Sequence, residues 1–385
     1  MASSLSSKTL QACSSPRCVL FHNKDRSVFL VDIPASLEES QVLLGQGAET
    51  GQPQRRLLSV APISTPFTLP EPRDPQTNNQ TPASQLADLM IEAAVNNALD
   101  TLKRGYDAPF CLPRVTGGGS SNASSGRECS ESPQDHPAPK DDDVAAAARD
   151  AAAAAAHFIP PESTYLSGSI QETRESFLST APKFDLIIMD PPWPNKSARR
   201  KTGGYSTVYG LKETRALLDQ IPVAAHLADS GLVAVWMTNK ATLADLLTSP
   251  RGVLASWGLE VAAEWQWVKI TAHGDPIFDT ESAWRKPWER LIIARKRGNN
   301  QKVPGRIIAA VPDVHSRKPN LRCLFDDLLP QGYRGLEVFA RNLTAGWWGW
   351  GNEILHFQEP HHWVIPAVSR QNTSKKTKSQ DTKTN

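Results

Sequence analysis

One short segment carries residue types that could hold a flat, nitrogen-containing ring: Phe-Asp-Leu-Ile-Ile-Met-Asp-Pro-Pro-Trp, residues 184–193. Its apolar part predicts a buried strand, and Asp190 follows at the carboxyl end, where open α/β sheets place their ligand sites. Pro191 and Pro192 fix their φ angles and lack an N–H, so the loop is rigid and offers carbonyl acceptors. Trp193 adds a flat face on which a planar ring could stack.

These groups suit a ring that bears an exocyclic amine. The lone pair of such an amine is delocalised into the ring, which makes the nitrogen a poor nucleophile. Hydrogen bonds from its two hydrogens to Asp190 and to a proline carbonyl would orient the nitrogen, with its lone pair facing an electrophilic methyl group. An isolated Asp-Pro pair is more often a structural turn. The second proline, the tryptophan and the preceding strand favour the chemical interpretation.

Further stretches of the chain form an ordered series with this loop. They are residues 190–193 with 195–197, then 263–271, 286–289, 315–319, 336–343, 346–347 and 350–353. In this order they resemble the eukaryotic N6-adenine methyltransferase family built around the messenger-RNA adenosine methyltransferase, closest to the methyltransferase-like protein 4 branch. The resemblance implies a Rossmann-like, doubly wound α/β domain, S-adenosylmethionine as cofactor and the N6 amine of adenine in nucleic acid as substrate. The smaller N-terminal region resembles the accessory region of that branch more weakly.

The resemblance also implies roles for individual residues. The catalytic loop for the target adenine would be Asp190, Pro191, Pro192 and Trp193. The cofactor-binding residues would be Ser169, Ile170, Asp190, Lys318, Glu337, Arg341, Asn352 and Glu353. Within that set Lys318 would meet the methionine carboxylate of the cofactor, a pairing that charge favours. Ser169 stands where the family usually has Asp, and Arg317 where it often has His; loss of the charge at residue 169 predicts weaker cofactor binding.

A polar and basic run follows the catalytic loop directly. The residues predicted there to contact nucleic acid are Asn195, Lys196, Arg199, Arg200 and Lys201. Beside a base pocket such a run is suited to phosphates, which position a strand without reading its sequence. The alternative is a solvated loop. The nearest branch is linked both to an adenosine in small nuclear RNA and to adenine in DNA, and of the two we favour RNA as the substrate.

Composition divides the chain into four zones. They are a partly ordered N-terminal accessory region (1–115), a low-complexity linker rich in Gly, Ser and Ala (116–157), the methyltransferase domain (158–366) and a disordered basic tail (367–385). In the first zone we expect a strand at 27–33, a loop at 53–82 and a helix at 84–104.

The third zone alternates apolar runs with helical patterns. Strands are predicted at 184–189, 232–237, 261–270, 291–294, 307–311 and 336–340, and helices at 211–228, 239–256 and 320–329. This alternation predicts an open α/β sheet with helices on both faces. The tryptophans at 347, 348 and 350 form a cluster that we expect to pack in the core. Trp265 and Trp267 would share one face of a strand and pack in the core as well. Lys269 shares that face and either approaches the pocket or lies away from it.

Bulk composition excludes several classes of protein. The formal net charge of +2 over 385 residues does not by itself indicate a nucleic-acid partner. The 5 cysteines form no Cys-x-x-Cys pair, which argues against a zinc module or a disulfide framework and favours a reducing compartment. His361-His362 lacks further ligands at metal spacing, so no metal site is predicted. No apolar run approaches the roughly 18 residues of a membrane span. We expect an intracellular protein without a secretory signal, in the nucleus rather than the cytoplasm, with lysines in the tail as a candidate import signal.

Two other functions compete with methyl transfer to adenine. The first is a catalytically inactive, nucleic-acid-binding scaffold, since some relatives play that role beside an active partner. The intact Asp190–Trp193 loop argues against it, whereas Ser169 keeps it open. The second is a methyltransferase for small molecules or proteins, which the basic run at 196–201 disfavours. Whether a partner subunit exists stays open at this stage.

Overall fold

The computed structural model describes residues 17–43, 55–68, 82–117, 157–194, 210–282 and 285–365. The strands are β1 (Val19–His22), β2 (Val28–Val31), β3 (Arg56–Ser59), β4 (Val115–Thr116), β5 (Thr164–Ser167), β6 (Phe184–Met189), β7 (Leu227–Met237), β8 (Leu259–Lys269), β9 (Trp288–Lys296), β10 (Arg306–Ala310), β11 (Gly335–Val338), β12 (Trp348–Gly351) and β13 (Trp363–Val364). The α-helices are α1 (Ile33–Ser40), α2 (Pro82–Gly105), α3 (Ile170–Thr180), α4 (Leu211–Asp219), α5 (Val223–His226), α6 (Ala241–Thr248), α7 (Val253–Ser256) and α8 (Arg322–Phe325), and two 3-10 turns lie at His356–Gln358 and Pro360–His362.

A single large sheet organises these elements, in the order β1-β2-β10-β8-β9-β7-β6-β11-β12-β5. Its strands pair in parallel except for β9, which is antiparallel to β7 and β8, and β1, which is antiparallel to β2. The carboxyl ends of the parallel strands therefore meet at one edge of the sheet. The amino-terminal end of β9 lies at the same edge because that strand runs the other way.

Both faces of the sheet are covered, which explains why its strands are apolar runs rather than alternating patterns. In β6, Leu186 and Ile188 belong to the core under α1 and α8, whereas Ile187 and Met189 belong to the core under α3, α4 and α6. The predicted doubly wound α/β architecture is confirmed. Trp265 and Trp267 are 0% and 4% exposed in the first core, so the prediction that they pack inside is confirmed as well.

The N-terminal region contributes to this sheet rather than standing apart from it. Strand β2 pairs in parallel with β10, and α2 packs over Leu30 and Val268 through Val95, Leu99 and Leu102. The predicted strand at 27–33 and helix at 84–104 are both present. The prediction of a loop throughout 53–82 is wrong at its start, because β3 pairs with β13 on one side and β4 on the other.

Several predicted element boundaries are corrected by local chemistry. The helix expected over 211–228 is divided before Pro222 into α4 and the single turn α5, and β7 begins at Leu227. The helix expected over 239–256 divides at Gly252, where a Cβ atom would lie 2.7 Å from the carbonyl oxygen of Leu247. The strand expected to reach residue 340 ends at Val338, because Phe339 takes a left-handed φ of 62°. The helix expected over 320–329 is the single turn α8.

Two of the predicted zones cannot be compared with structure. Most of the linker (118–156) and the tail (366–385) lie outside the described residues. None of the helices in the described part of the chain is long and apolar enough to cross a membrane.

Candidate active site

The loop after β6 is fixed by hydrogen bonds to its neighbours. The amide of Asp190 donates to the carbonyl of Val338 at 3.2 Å, and the amide of Trp193 donates to the carbonyl of Pro191 at 2.8 Å. The indole Nε1 of Trp193 donates to the carbonyl of Trp236, the residue before the last of β7, at 2.7 Å. Among the described residues, none donates to the carbonyl of Pro192. The loop therefore presents the Asp190 carboxylate and the Pro192 carbonyl as acceptors on a rigid frame.

A chain of alternating charges extends from Asp190 into the sheet. Lys318 Nζ lies 3.5 Å from Asp190 Oδ1 and 2.6 Å from Glu289 Oε2. The other oxygen of Glu289, Oε1, accepts from Lys269 Nζ at 2.6 Å. Lys269 thus approaches the site, through the carboxylate of Glu289. Each oxygen of that carboxylate holds one ammonium group, and Lys318 is shared between two carboxylates.

Glu289 was not among the residues predicted for the site, although it lies in the matching stretch 286–289. It is the second residue of β9 and pairs with Trp267 of β8. The antiparallel direction of β9 therefore brings it to the edge at which β6 and β8 end. Its place in the matching stretch 286–289 is the signal that could have found it.

The pKa values of the network follow from burial and charge. Burial would raise the pKa of Glu289, but Lys318 and Lys269 outweigh it and lower that pKa to about 2. Burial likewise opposes the charged form of Lys318, and the carboxylates of Asp190 and Glu289 raise its pKa nonetheless. The pKa of Asp190 is raised, first by burial and further by Glu289, against the attraction of Lys318. The two lysines thus stabilise the charged form of Glu289 more than that of Asp190. Asp190 therefore has the higher pKa of the two carboxylates.

A small cavity opens beside this network. Its polar lining consists of Asp190, Ser316, Lys318, Glu337, Arg341 and Asn342. Glu337 lies on β11, is 8% exposed and accepts a hydrogen bond from the Thr344 hydroxyl at 3.1 Å. Burial raises the pKa of Glu337 to about 7. The Nδ2 atom of Asn342 is buried and has no hydrogen-bond partner among the described residues.

Asn342 and Glu337 give the cavity the donor and acceptor that a polar ligand needs. A buried amide without a partner costs free energy unless a ligand satisfies it. The turns around the cavity are also unusual, since Phe339 and Ser316 have left-handed φ angles of 62° and 69°. Strained backbone of this kind is concentrated at binding sites.

The structure brings together four of the predicted cofactor residues, Asp190, Lys318, Glu337 and Arg341, around one cavity. Glu353 joins them through an ion pair with Arg341, Nε to Oε2, at 2.6 Å. Asn352 is exposed beside them, at the end of β12.

Ser169 and Ile170 occupy different surroundings from those expected. The Ser169 hydroxyl caps α3 in a reciprocal arrangement with Glu172, and Ile170 is 2% exposed in the apolar core. Neither lines the described cavity. They remain near it, because the amide of Gly168 donates to the carbonyl of Gly351 at 3.3 Å and so joins the ends of β5 and β12.

The basic run predicted to contact nucleic acid, Asn195, Lys196, Arg199, Arg200 and Lys201, lies outside the described residues. Its described flanks are Pro194, whose carbonyl accepts from Lys240 Nζ at 2.8 Å, and Gly210 at the start of α4.

A doubly wound sheet with an Asp-Pro-Pro-Trp loop and a polar cavity at its carboxyl edge defines an α/β methyltransferase domain. Residues 184–353 match the model of the MT-A70 family. The chain is 46% identical over 353 residues to the N6-methyladenosine RNA methyltransferase MTA1 of Cryphonectria parasitica, covering 90% of this chain and 94% of that protein. It is 43% identical over 367 residues to the protein of the same name from Pyricularia oryzae, covering 90% and 96%. It is 35% identical over 221 residues to the human N(6)-adenine-specific methyltransferase METTL4, covering 54% of this chain and 45% of that protein. The chain belongs to the MT-A70 family of N6-adenine methyltransferases.

Proposed function

We propose that this protein transfers a methyl group from S-adenosylmethionine to the N6 amine of adenine in RNA. The observation that carries the proposal is the position of Asp190. Its carboxylate is held at the mouth of a cavity that also contains the Asn342 donor without a partner and the Glu337 acceptor. The carboxylate that would accept the amine hydrogens thus lies at the cavity that would hold the cofactor.

The residues present fit the cofactor in their chemistry. S-adenosylmethionine supplies an electrophilic methyl group when it is bound. Lys318 has three N–H donors, of which two point at Glu289 and Asp190, and the third is suited to a carboxylate. Glu337 is suited to ribose hydroxyls, and the buried Nδ2 of Asn342 offers a donor that no described protein group uses.

The chain's own groups would then position the adenine for transfer. Asp190 and the Pro192 carbonyl would accept the two amine hydrogens and turn the nitrogen lone pair towards the cavity. Trp193 would present one face to the base while its Nε1 stays anchored to the carbonyl of Trp236. A carboxylate with a raised pKa is also a competent acceptor for the proton that the methylated amine releases.

RNA is the substrate that we favour over DNA. Two relatives that align with nine-tenths of this chain carry RNA methyltransferase in their names. We further propose a small nuclear RNA-like target, a nuclear location, phosphate contacts by the basic run at 195–201, and a methyltransferase domain spanning 158–366. A partner subunit is compatible with all of these assignments.

The test uses purified protein, labelled S-adenosylmethionine and matched RNA and DNA oligonucleotides that contain adenine. We expect N6-methyladenine in RNA, and a loss of at least a thousandfold in Asp190→Asn, which keeps the shape but not the charged acceptor. The matched control is Asp229→Asn, because Asp229 is a surface carboxylate whose side chain is 93% exposed. Preference for DNA would overturn the choice of substrate. No transfer to either strand, together with no cofactor binding, would favour the inactive scaffold.

A further inference from the structure

Three potential metal ligands meet in the turn that follows the catalytic domain's last large strand. Glu359, His361 and His362 each contribute one ligand atom, and these atoms lie within 4.8 Å of one another. His361 Nδ1 is 3.2 Å from Glu359 Oε2, and the rings of His361 and His362 are 4.0 Å apart. The sequence suggested a histidine pair without further ligands. The 3-10 turn Pro360–His362 corrects this, because it brings Glu359 beside both rings.

The fold leaves one ring nitrogen of this cluster without a partner. The Nε2 atom of His362 is buried and makes no hydrogen bond within the described residues. Such an atom carries a desolvation penalty unless something binds it. His362 is held in this position by its contact with Phe357, at 5.2 Å between ring centroids. The free energy lost at Nε2 would be recovered by a metal bond.

The spacing is close to that of a tetrahedral centre. Bonds of about 2.0–2.2 Å to histidine nitrogen and carboxylate oxygen place two ligand atoms roughly 3.3–3.5 Å apart. The 3.2 Å between His361 Nδ1 and Glu359 Oε2 already approximates one such edge. The remaining separations are at most 4.8 Å, so binding would require side-chain torsion changes that bring these atoms closer together. Two imidazoles and one carboxylate form a donor set typical of zinc.

We propose that Glu359, His361 and His362 bind Zn²⁺, with water in the fourth position. The ion would stabilise the wall of the active-site cavity rather than take part in methyl transfer. Phe357 lines that cavity, its ring lies 4.6 Å from the guanidinium carbon of Arg317, and its amide donates to the carbonyl of Arg341 at 2.7 Å. A metal ion that holds His362 in place would therefore also restrain the ring of Phe357 and, through its amide, the backbone of Arg341.

The first experiment measures zinc affinity on the full chain without a polyhistidine tag. The metal is stripped with a chelator, and Zn²⁺ is then titrated in competition with a chromophoric chelator. We expect one Zn²⁺ per chain, and a cobalt-substituted protein with the visible absorption of a tetrahedral site. Glu359→Gln and His361→Ala should each weaken binding at least tenfold. Both side chains are exposed enough, at 38% and 65%, for the fold to tolerate the changes.

Two control variants make the result specific. His22→Ala removes an exposed histidine that contacts the Asn23 carbonyl and the ring of Phe29, and it should bind zinc as the unmodified protein does. Cys323→Ser removes one thiol of the Cys18–Cys323 pair, whose sulfurs are 3.6 Å apart, and it should also retain binding. The proposal is overturned if the unmodified protein binds no zinc, if Glu359→Gln and His361→Ala bind it unchanged, or if Cys323→Ser abolishes binding.

Discussion

Replacement of Glu289 by Gln tests whether the charge network controls the reactive carboxylate. The substitution keeps the shape of the side chain and removes its charge. A Gln carbonyl can accept from Lys269 or from Lys318, but its NH2 group faces the other ammonium, donor against donor. Lys318 would then be drawn from its present 3.5 Å towards Asp190. Asp190 would become a poorer acceptor for the amine.

The magnitude follows from the exposure of the pair. Breaking a buried ion pair costs about 3–5 kcal/mol, and an exposed pair contributes about 0–1 kcal/mol. With 22% of Glu289 and 19% of Lys318 exposed, an intermediate loss of about 2 kcal/mol is expected. If this loss falls on the transition state, kcat/KM decreases roughly thirtyfold. The pKa of Glu289, about 2, means that its charge is present throughout the working pH range.

The assay compares methyl transfer and thermal unfolding in two variants. Glu264→Gln is the matched control, because Glu264 forms an ion pair with Arg290 at 2.6 Å with similar exposure, 24% and 18%. Glu264 lies in β8 on the face opposite to Lys269, so its loss should destabilise the protein without changing kcat/KM by more than about threefold. The reasoning is refuted if Glu289→Gln retains activity within threefold of the unmodified protein, or if Glu264→Gln loses as much.

Three further predictions follow from individual contacts. Because the pKa of Glu337 is raised to about 7 from 4.5, the folded protein without cofactor holds a proton that the unfolded chain has released. Stability should therefore fall as pH rises from 4.5 to 7, by about 3 kcal/mol at most, and Glu337→Gln should flatten this slope in urea titrations at several pH values. Asn342→Ala should weaken cofactor binding about tenfold, because the cofactor loses roughly one hydrogen bond. The melting temperature should not fall, since the Nδ2 atom that is removed has no partner among the described residues. An affinity measured by calorimetry that stays unchanged would contradict this prediction. Trp193→Phe should keep the flat face but lose the hydrogen bond to the Trp236 carbonyl. The KM for the oligonucleotide should rise several-fold while kcat stays within about twofold. An unchanged KM would mean that this hydrogen bond does not position the ring for the base.

The sequence was sufficient for features that depend on local pattern. The apolar run of β6 and the Asp-Pro-Pro-Trp that follows it determine a buried strand with a rigid acceptor loop at its end, because periodicity and proline stereochemistry act within a few residues. The alternation of strands and helices likewise predicted the doubly wound sheet. Short elements were harder: β3 lies in a Pro-rich stretch, and only its pairing with β13 and β4 makes it a strand.

Side-chain partnerships across the sheet were decided by tertiary structure alone. Glu289 and Lys318 are distant in sequence, and nothing local indicates that the reversed direction of β9 brings them to 2.6 Å. The role of Ser169 also depended on context, since its hydroxyl caps α3. The family resemblance implied four of the polar residues that line the cavity, Asp190, Lys318, Glu337 and Arg341, but not Ser316 or Asn342. Burial determined that Asn342 has a donor to offer and that Glu337 has a raised pKa. Sequence fixes what a residue can donate or accept, whereas its protonation and its partners depend on the neighbours and the solvent that the folded chain leaves it.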